Sequence, residues 1–165
     1  MFDSKNTKEI RLTQGKVAVV SEHRFDYLNQ WKWCARQDKK SGLWYAERRV
    51  GKWPHQKCIS MHRVVANASP GELVDHKDRN GLHNWDENLR IATPTNNSQN
   101  RKKNERNKSG YKGVRKLKPY RAVITINGKH TSLGHFDTAE EAAHAYDRAA
   151  KQYFGEFAVL NFPED

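Results

Sequence analysis

A chain of 165 residues with 36% hydrophobic residues and a mean hydropathy of −1.03 has material for one compact domain or two small ones with shallow cores. No stretch approaches the roughly 20 apolar residues of a membrane span, and MFDSKNTKEI lacks the apolar centre of a signal peptide, so a cytoplasmic location without membrane partners is expected. The formal net charge of +11 points to a polyanionic partner, while Cys34 and Cys58 lack the close pairing of a zinc site and read as reduced thiols.

In chain order, residues 9 to 60 hold short runs rich in β-branched and aromatic side chains, at 16 to 20 and 43 to 50, with tryptophans at 31, 33, 44 and 53. They predict a small β-rich unit held by aromatic packing, in a supporting role. MHRVVANA, residues 61 to 68, predicts a short helix stopped before Pro70-Gly71. Residues 72 to 77 then predict a strand carrying Asp75 and His76, with residues 89 to 92 as its antiparallel partner across a loop crowded with asparagine. Thr93-Pro94 predicts a helix start, Thr93 as N-cap and Pro94 as first helical residue. From residue 98 to 121 ten basic side chains stand against the single acid Glu105, so most of the excess charge lies in one block. RKKNERNKS, 101 to 109, reads as a linker with a boundary near Lys108.

The last zone predicts a first strand over 111 to 117 and a second over 120 to 126, where Ala122, Ile124 and Ile126 alternate with Arg121, Val123 and Thr125. Asn127-Gly128 is a type I′ hairpin signal leading to a third strand over 129 to 136. Thr138 with Glu141 makes a capping box for a helix whose Ala142, Ala145, Tyr146, Ala149 and Tyr153 recur at three- and four-residue intervals, and Gly155 stops it. Three antiparallel strands backed by one helix would leave a sheet face carrying Arg115, Arg121 and Thr125 open to a ligand. The whole chain therefore reads as α+β.

The chemistry-bearing stretch is Asp75-His76 and the asparagines at 80, 84, 88, 96, 97 and 100. Phosphodiester hydrolysis needs an activated water, neutralised phosphoryl oxygens and help for the departing alkoxide, and a neutral histidine with one divalent cation meets all three. Asp75 and Asn97 offer oxygen donors that suit Mg²⁺, or Mn²⁺, better than zinc. Asn96 competes with Asn97 for the second place. His76 is the candidate base. Strand alternation directs Asp75 and His76 to opposite faces, a difficulty eased if one binds the metal from the side while the other addresses the phosphate.

VDHKDRNGLHNWDENLRIATPTNNSQNR, together with the preceding MHRVV, resembles the HNH nuclease motif in the branch found in homing endonucleases of phages and mobile elements. The resemblance implies a ββα-metal core with His76 as general base, Asp75 and Asn97 as metal ligands, and Asn84 as the middle residue tying the loop to the hairpin. The other asparagines, Asn80, Asn88 and Asn100, are expected in turn or surface roles, and His62 in packing or phosphate contact.

Residues 109 to 163 resemble the DNA-binding domain of plant Apetala and ethylene-response-factor regulators. The resemblance is carried by Tyr111 to Arg115 (YKGVR), LGHF at 133 to 136, TAEEAA at 138 to 143, AYDRAA at 145 to 150 and LNFP at 160 to 163. It implies a sheet laid in the major groove of double-stranded DNA. Lys112, Arg115, Lys116, Lys118 and Arg121 are the expected basic contacts, with Thr125, His130 and Ser132 on the same surface. Val123, Thr125, His130 and Ser132 depart from residues common at plant contact positions, so sequence preference does not transfer. Arg101, Lys102, Lys103 and Arg106 are expected to track phosphates from the linker.

The expected division is a supporting segment over 1–60, a nuclease core over 61–101, a linker over 102–108 and a DNA reader over 109–163. The reading is an HNH endonuclease that nicks or cleaves double-stranded DNA with a divalent cation, as a monomer or a homodimer. The rival is a non-catalytic, sequence-specific DNA-binding regulator with a degenerate HNH core.

Overall fold

The computed structural model describes residues 6–100 and 107–163, without the side chains of 95, 97 and 98. It is α+β, with several small sheets and four α-helices among the described residues. The chain falls into two compact units, Met1–Thr93 and Pro94–Asp165. Among the described residues no helix is long and apolar enough to cross a membrane.

In the first unit β1 (Thr7–Arg11) and β2 (Val17–Ser21) form an antiparallel hairpin. The sequence places only strands here, yet α1 (Glu22–Asn29) follows at once, burying Leu28 and half-burying Phe25, an i, i+3 pair on one face. β3 (Cys34–Gln37), β4 (Trp44–Val50) and β5 (Lys57–Ser60) make a second, antiparallel sheet. α2 (Met61–Val65) is shorter than MHRVVANA suggested, because Asn67 turns to a φ of +48° and ends it. β6 (Leu73–His76) pairs with β8 (Leu89–Ala92), and the two-residue β7 (His83–Asn84) in the loop between them runs parallel to β2.

The core of this unit gathers Ile10, Ala18, Val20, Leu28, Trp33, Ala46 and Met61. Trp33, 1% exposed, satisfies its indole N–H on the Leu28 carbonyl (2.8 Å), so a large apolar group is buried without a stranded donor. The Arg48 guanidinium lies 4.2 Å from the centre of the Trp31 ring. Trp53 is the exception among the tryptophans: it stands 84% exposed in the loop between β4 and β5.

The second unit starts with α3 (Pro94–Gln99), so the helix start at Pro94 stands as expected. The first strand of the next sheet is only β9 (Val114–Arg115), not 111 to 117. The reason is Gly113, whose φ of +75° breaks the extended path and whose Cα faces the Tyr146 ring so closely that no Cβ fits. β10 (Tyr120–Ile126) and β11 (Lys129–Phe136) pair through a hairpin whose Asn127 and Gly128 both have positive φ, as a type I′ turn requires. A register shift between Ala122 and Val123 disturbs the alternation, and Val123 is buried with Ala122 and Ile124.

α4 (Ala139–Phe154) carries the capping box at Thr138 and Glu141 and ends at Gly155. Ala142, Ala145, Tyr146 and Ala149 are buried in clusters with Val114, Ala122 and Ile124. Tyr153 is not in that core; it is 54% exposed, and its neighbour Phe154 takes the buried place. Asp147, also buried, accepts from the backbone N–H groups of Asn161 and Phe162, fastening the final segment to the helix.

Candidate active site

The β6–β8 pairing runs without a bulge from Leu73↔Ala92 to His76↔Leu89, so Asp75 and His76 keep the alternation of a regular strand. Each is 6% exposed. Asp75 lies opposite Arg90, which donates from Nε (3.0 Å) and Nη2 (2.8 Å) to the same carboxylate oxygen, Oδ2. Both partners are buried, so this is a charge-assisted bond that fixes the carboxylate's rotamer.

His76 points to another environment. Its Nε2 lies 3.3 Å from Asn84 Oδ1. An amide oxygen can only accept, so the imidazole proton sits on Nε2 and Nδ1 becomes the basic nitrogen. Burial, chiefly, lowers the His76 pKa below its ordinary value, with the Asn84 bond and the charges of Asp78 and Asp75 opposing it. Near neutral pH the ring is therefore uncharged and able to take a proton. Tyr45 and His62 surround it, with ring centres 6.0 Å and 5.3 Å away. Tyr45 and His62 line a cleft with Arg36 and Glu47.

The loop from 77 to 88 places Asn84. Asn88, 0% exposed, donates Nδ2 to Asp78 Oδ1 (3.0 Å) and to the His83 carbonyl (2.8 Å), and accepts the Asp78 N–H at Oδ1 (3.1 Å). His83 bonds Asp78 through Nδ1 and Asn80 through Nε2, and Asn80 also closes the turn by accepting the Leu82 N–H. From outside, the Ser21 hydroxyl accepts the Asp86 N–H and Arg24 of α1 pairs with the Asp86 carboxylate (2.8 Å). Asn84, 0% exposed, is thus held at the end of β2 with its oxygen on His76; its Nδ2 is buried and without a hydrogen-bond partner among the described residues.

Several of these residues escaped sequence reasoning. Asn88 carries the loop-fixing bonds that the motif resemblance attached to Asn84, and its complete burial removes it from the expected turn or surface role. Arg90 was legible in principle, since pairing the two strands in register puts it opposite Asp75. Tyr45 had no signal, because it comes from another sheet some 30 residues upstream of His76.

No family model matches the chain. An uncharacterized HNH endonuclease of Acanthamoeba polyphaga mimivirus is 35% identical over 156 residues, covering 90% of this chain and 76% of that protein. The chain belongs to the HNH endonuclease family. Protein 3.8 of Escherichia phage T7 is similar to this HNH-family chain at 35% identity over 91 residues, 53% of the chain and 74% of the relative. A different likeness covers the C-terminal part: dehydration-responsive element-binding protein 2E of Arabidopsis thaliana is 48% identical over 52 residues, 32% of the chain and 21% of that protein.

The remaining site residues of this HNH-family chain fall as follows. The Asn97 side chain and residues Arg101, Lys102, Lys103 and Arg106 lie outside the described residues. Arg115, Lys116, Lys118, Thr125, His130 and Ser132 are exposed in the second unit. Arg121 is half-buried there and donates Nε to the Ser132 hydroxyl (3.1 Å), while Thr125 and His130 share a hydrogen bond of 2.9 Å, so four expected contact residues form two cross-strand pairs. Lys112 instead reaches the Gln99 carbonyl with Nζ (2.6 Å). Among the described residues no group of three His, Cys, Asp or Glu side chains could hold a metal ion. The donor set at issue has a different make-up: the Asp75 carboxylate and an amide oxygen are hard donors of the kind Mg²⁺ takes alongside waters and phosphate.

Proposed function

We propose that the chain is a metal-dependent endonuclease that hydrolyses a phosphodiester bond in double-stranded DNA, with His76 as general base. The observation that carries the reading is the buried His76, neutral near pH 7, with Nε2–H committed to Asn84 Oδ1 and Nδ1 as the basic nitrogen. Asp75 is the carboxylate ligand and Asn97 the amide ligand, the latter on the strength of the sequence motif. Bound there, Mg²⁺ or Mn²⁺ supplies charge neutralisation at the phosphoryl oxygens and at the departing alkoxide. Arg90 holds the Asp75 carboxylate in one rotamer, and Asn84 keeps the imidazole oriented.

The reader is the face of the second unit with the exposed Arg115, Lys116, Lys118, Thr125, His130 and Ser132 and the half-buried Arg121. Arginine suits a bidentate guanine contact and the lysines suit phosphates. One catalytic centre per chain accounts for a nick, and a double-strand break takes two copies on the DNA.

Supercoiled plasmid incubated with the protein and Mg²⁺ tests this reading. Conversion to open-circular or linear DNA, stopped by chelation, is expected. Plasmid that stays supercoiled while the protein binds it would establish the rival reading, a DNA-binding regulator with a degenerate core.

A further inference from the structure

Resting on the nuclease reading, we propose that His62 is a second catalytic residue, donating its Nε2–H to a non-bridging oxygen of the scissile phosphodiester beside the water that His76 deprotonates. His62 is the second residue of α2. Met61 before it is wholly buried in the core and Arg63 after it binds the Ser69 and Glu72 carbonyls, so the chain is held on both sides of the imidazole. The ring lines a cleft with Arg36, Asp38, Ser41, Tyr45 and Glu47, the Tyr45 ring centre being 5.7 Å away, and it meets His76, itself outside that lining, edge-on at 5.3 Å with an interplanar angle of 70°.

The nitrogen atoms of His62 are not equivalent. Nδ1 is buried and has no hydrogen-bond partner among the described residues. A buried N–H without an acceptor costs about 1–3 kcal/mol, so the proton belongs on Nε2, the nitrogen left to donate into the cleft. Burial first, and then the neighbouring His76, push the His62 pKa down to about 4. A ring so weakly basic does not compete with His76 for the proton of water; it stays a neutral donor.

The spacing fits one phosphate. A water in hydrogen bond with His76 lies about 2.8 Å from it, and its oxygen about 3–3.5 Å from phosphorus in a near-attack arrangement. A group that serves the same phosphate therefore has to stand within a few ångströms of His76, as His62 does.

The test uses the full chain and supercoiled plasmid, measuring single-turnover nicking with Mg²⁺, binding to the same DNA without divalent cation, and the thermal midpoint. His62→Phe keeps a flat ring and loses the donor; nicking should fall roughly 10- to 100-fold, with binding within about threefold. His62→Gln and His62→Met form the second comparison, because they match in length and differ in the amide donor. Gln should nick faster than Met by about tenfold or more. Phe nicking at the wild-type rate, or Gln no faster than Met, overturns the proposal while leaving the nuclease reading intact. A wild-type chain that never nicks removes that reading and this proposal with it.

Discussion

His76 and His62 tie the chemistry of single residues to the pH dependence of the fold. Both have pKa values below the ordinary value near 6.5, burial being the main cause in each. Protonation therefore favours the unfolded chain: the stability is fully present above about pH 6.5 and is lost as pH falls toward the folded-state value. For His62 the window runs from about 6.5 to about 4, worth roughly 3 kcal/mol at most. Urea midpoints at pH 7.5 and pH 4.5 should differ by less in His62→Phe than in the wild type; an identical difference would remove this assignment. Nicking should also persist below pH 6.5, where an exposed imidazole would already be mostly protonated. Asn88 is the other decisive residue. Its three part-buried bonds to Asp78 and His83 predict that Asn88→Ala costs about 2–4 kcal/mol, measurable by urea unfolding, and that it lowers nicking by freeing Asn84. The sequence named Asp75 and His76 because a motif carried them. It undervalued Asn88, since one asparagine among six has no outward mark of which will be fully buried.

At the scale of elements, local chemistry was most legible where one or two residues dictate the backbone. Asn127-Gly128, the Thr138–Glu141 capping box and Gly155 each sit where their turn or cap geometry requires. Elements governed by packing across distance were less legible. α1 was hidden among strand-like runs because its apolar face is only Phe25 and Leu28, yet its Arg24 anchors the loop that carries Asn84 through Asp86. Tyr153 fits the helical period but loses the core to Phe154, one position on, since the period leaves a choice at the last turn. The strand expected at 111 to 117 is cut short by Gly113, whose neighbour is the Tyr146 ring of the helix. A Cβ at 113 would overlap Tyr146 Cδ2, on a residue with φ +75°. Gly113→Ala should therefore cost roughly 2 kcal/mol or more, read as a lower thermal midpoint, and a midpoint unchanged from wild type would contradict the packing described.

For the whole molecule, charge and division into units frame the proposed mode of action. Asp75, His76 and Asn84, proposed for the hydrolysis, lie in the first unit, while Asn97, the proposed amide ligand, and the exposed basic residues Arg115, Lys116 and Lys118 belong to the second. Affinity carried by phosphates falls with salt, by a slope of about −0.9 per neutralised phosphate on B-DNA. Replacing Arg115, Lys116 and Lys118 by Ala should weaken binding and flatten the salt dependence in proportion to the phosphates no longer neutralised; an unchanged slope would mean that this face does not meet DNA. With the proposed base and the proposed reader in different units, chemistry and binding should be severable by one substitution. The direct measurement is His76→Ala assayed in parallel for DNA affinity without divalent cation and for single-turnover nicking with Mg²⁺. Affinity within about threefold of wild type and nicking reduced by at least roughly 100-fold are expected; nicking that persists at the wild-type rate, or that falls only in step with lost affinity, would rule out His76 as the general base.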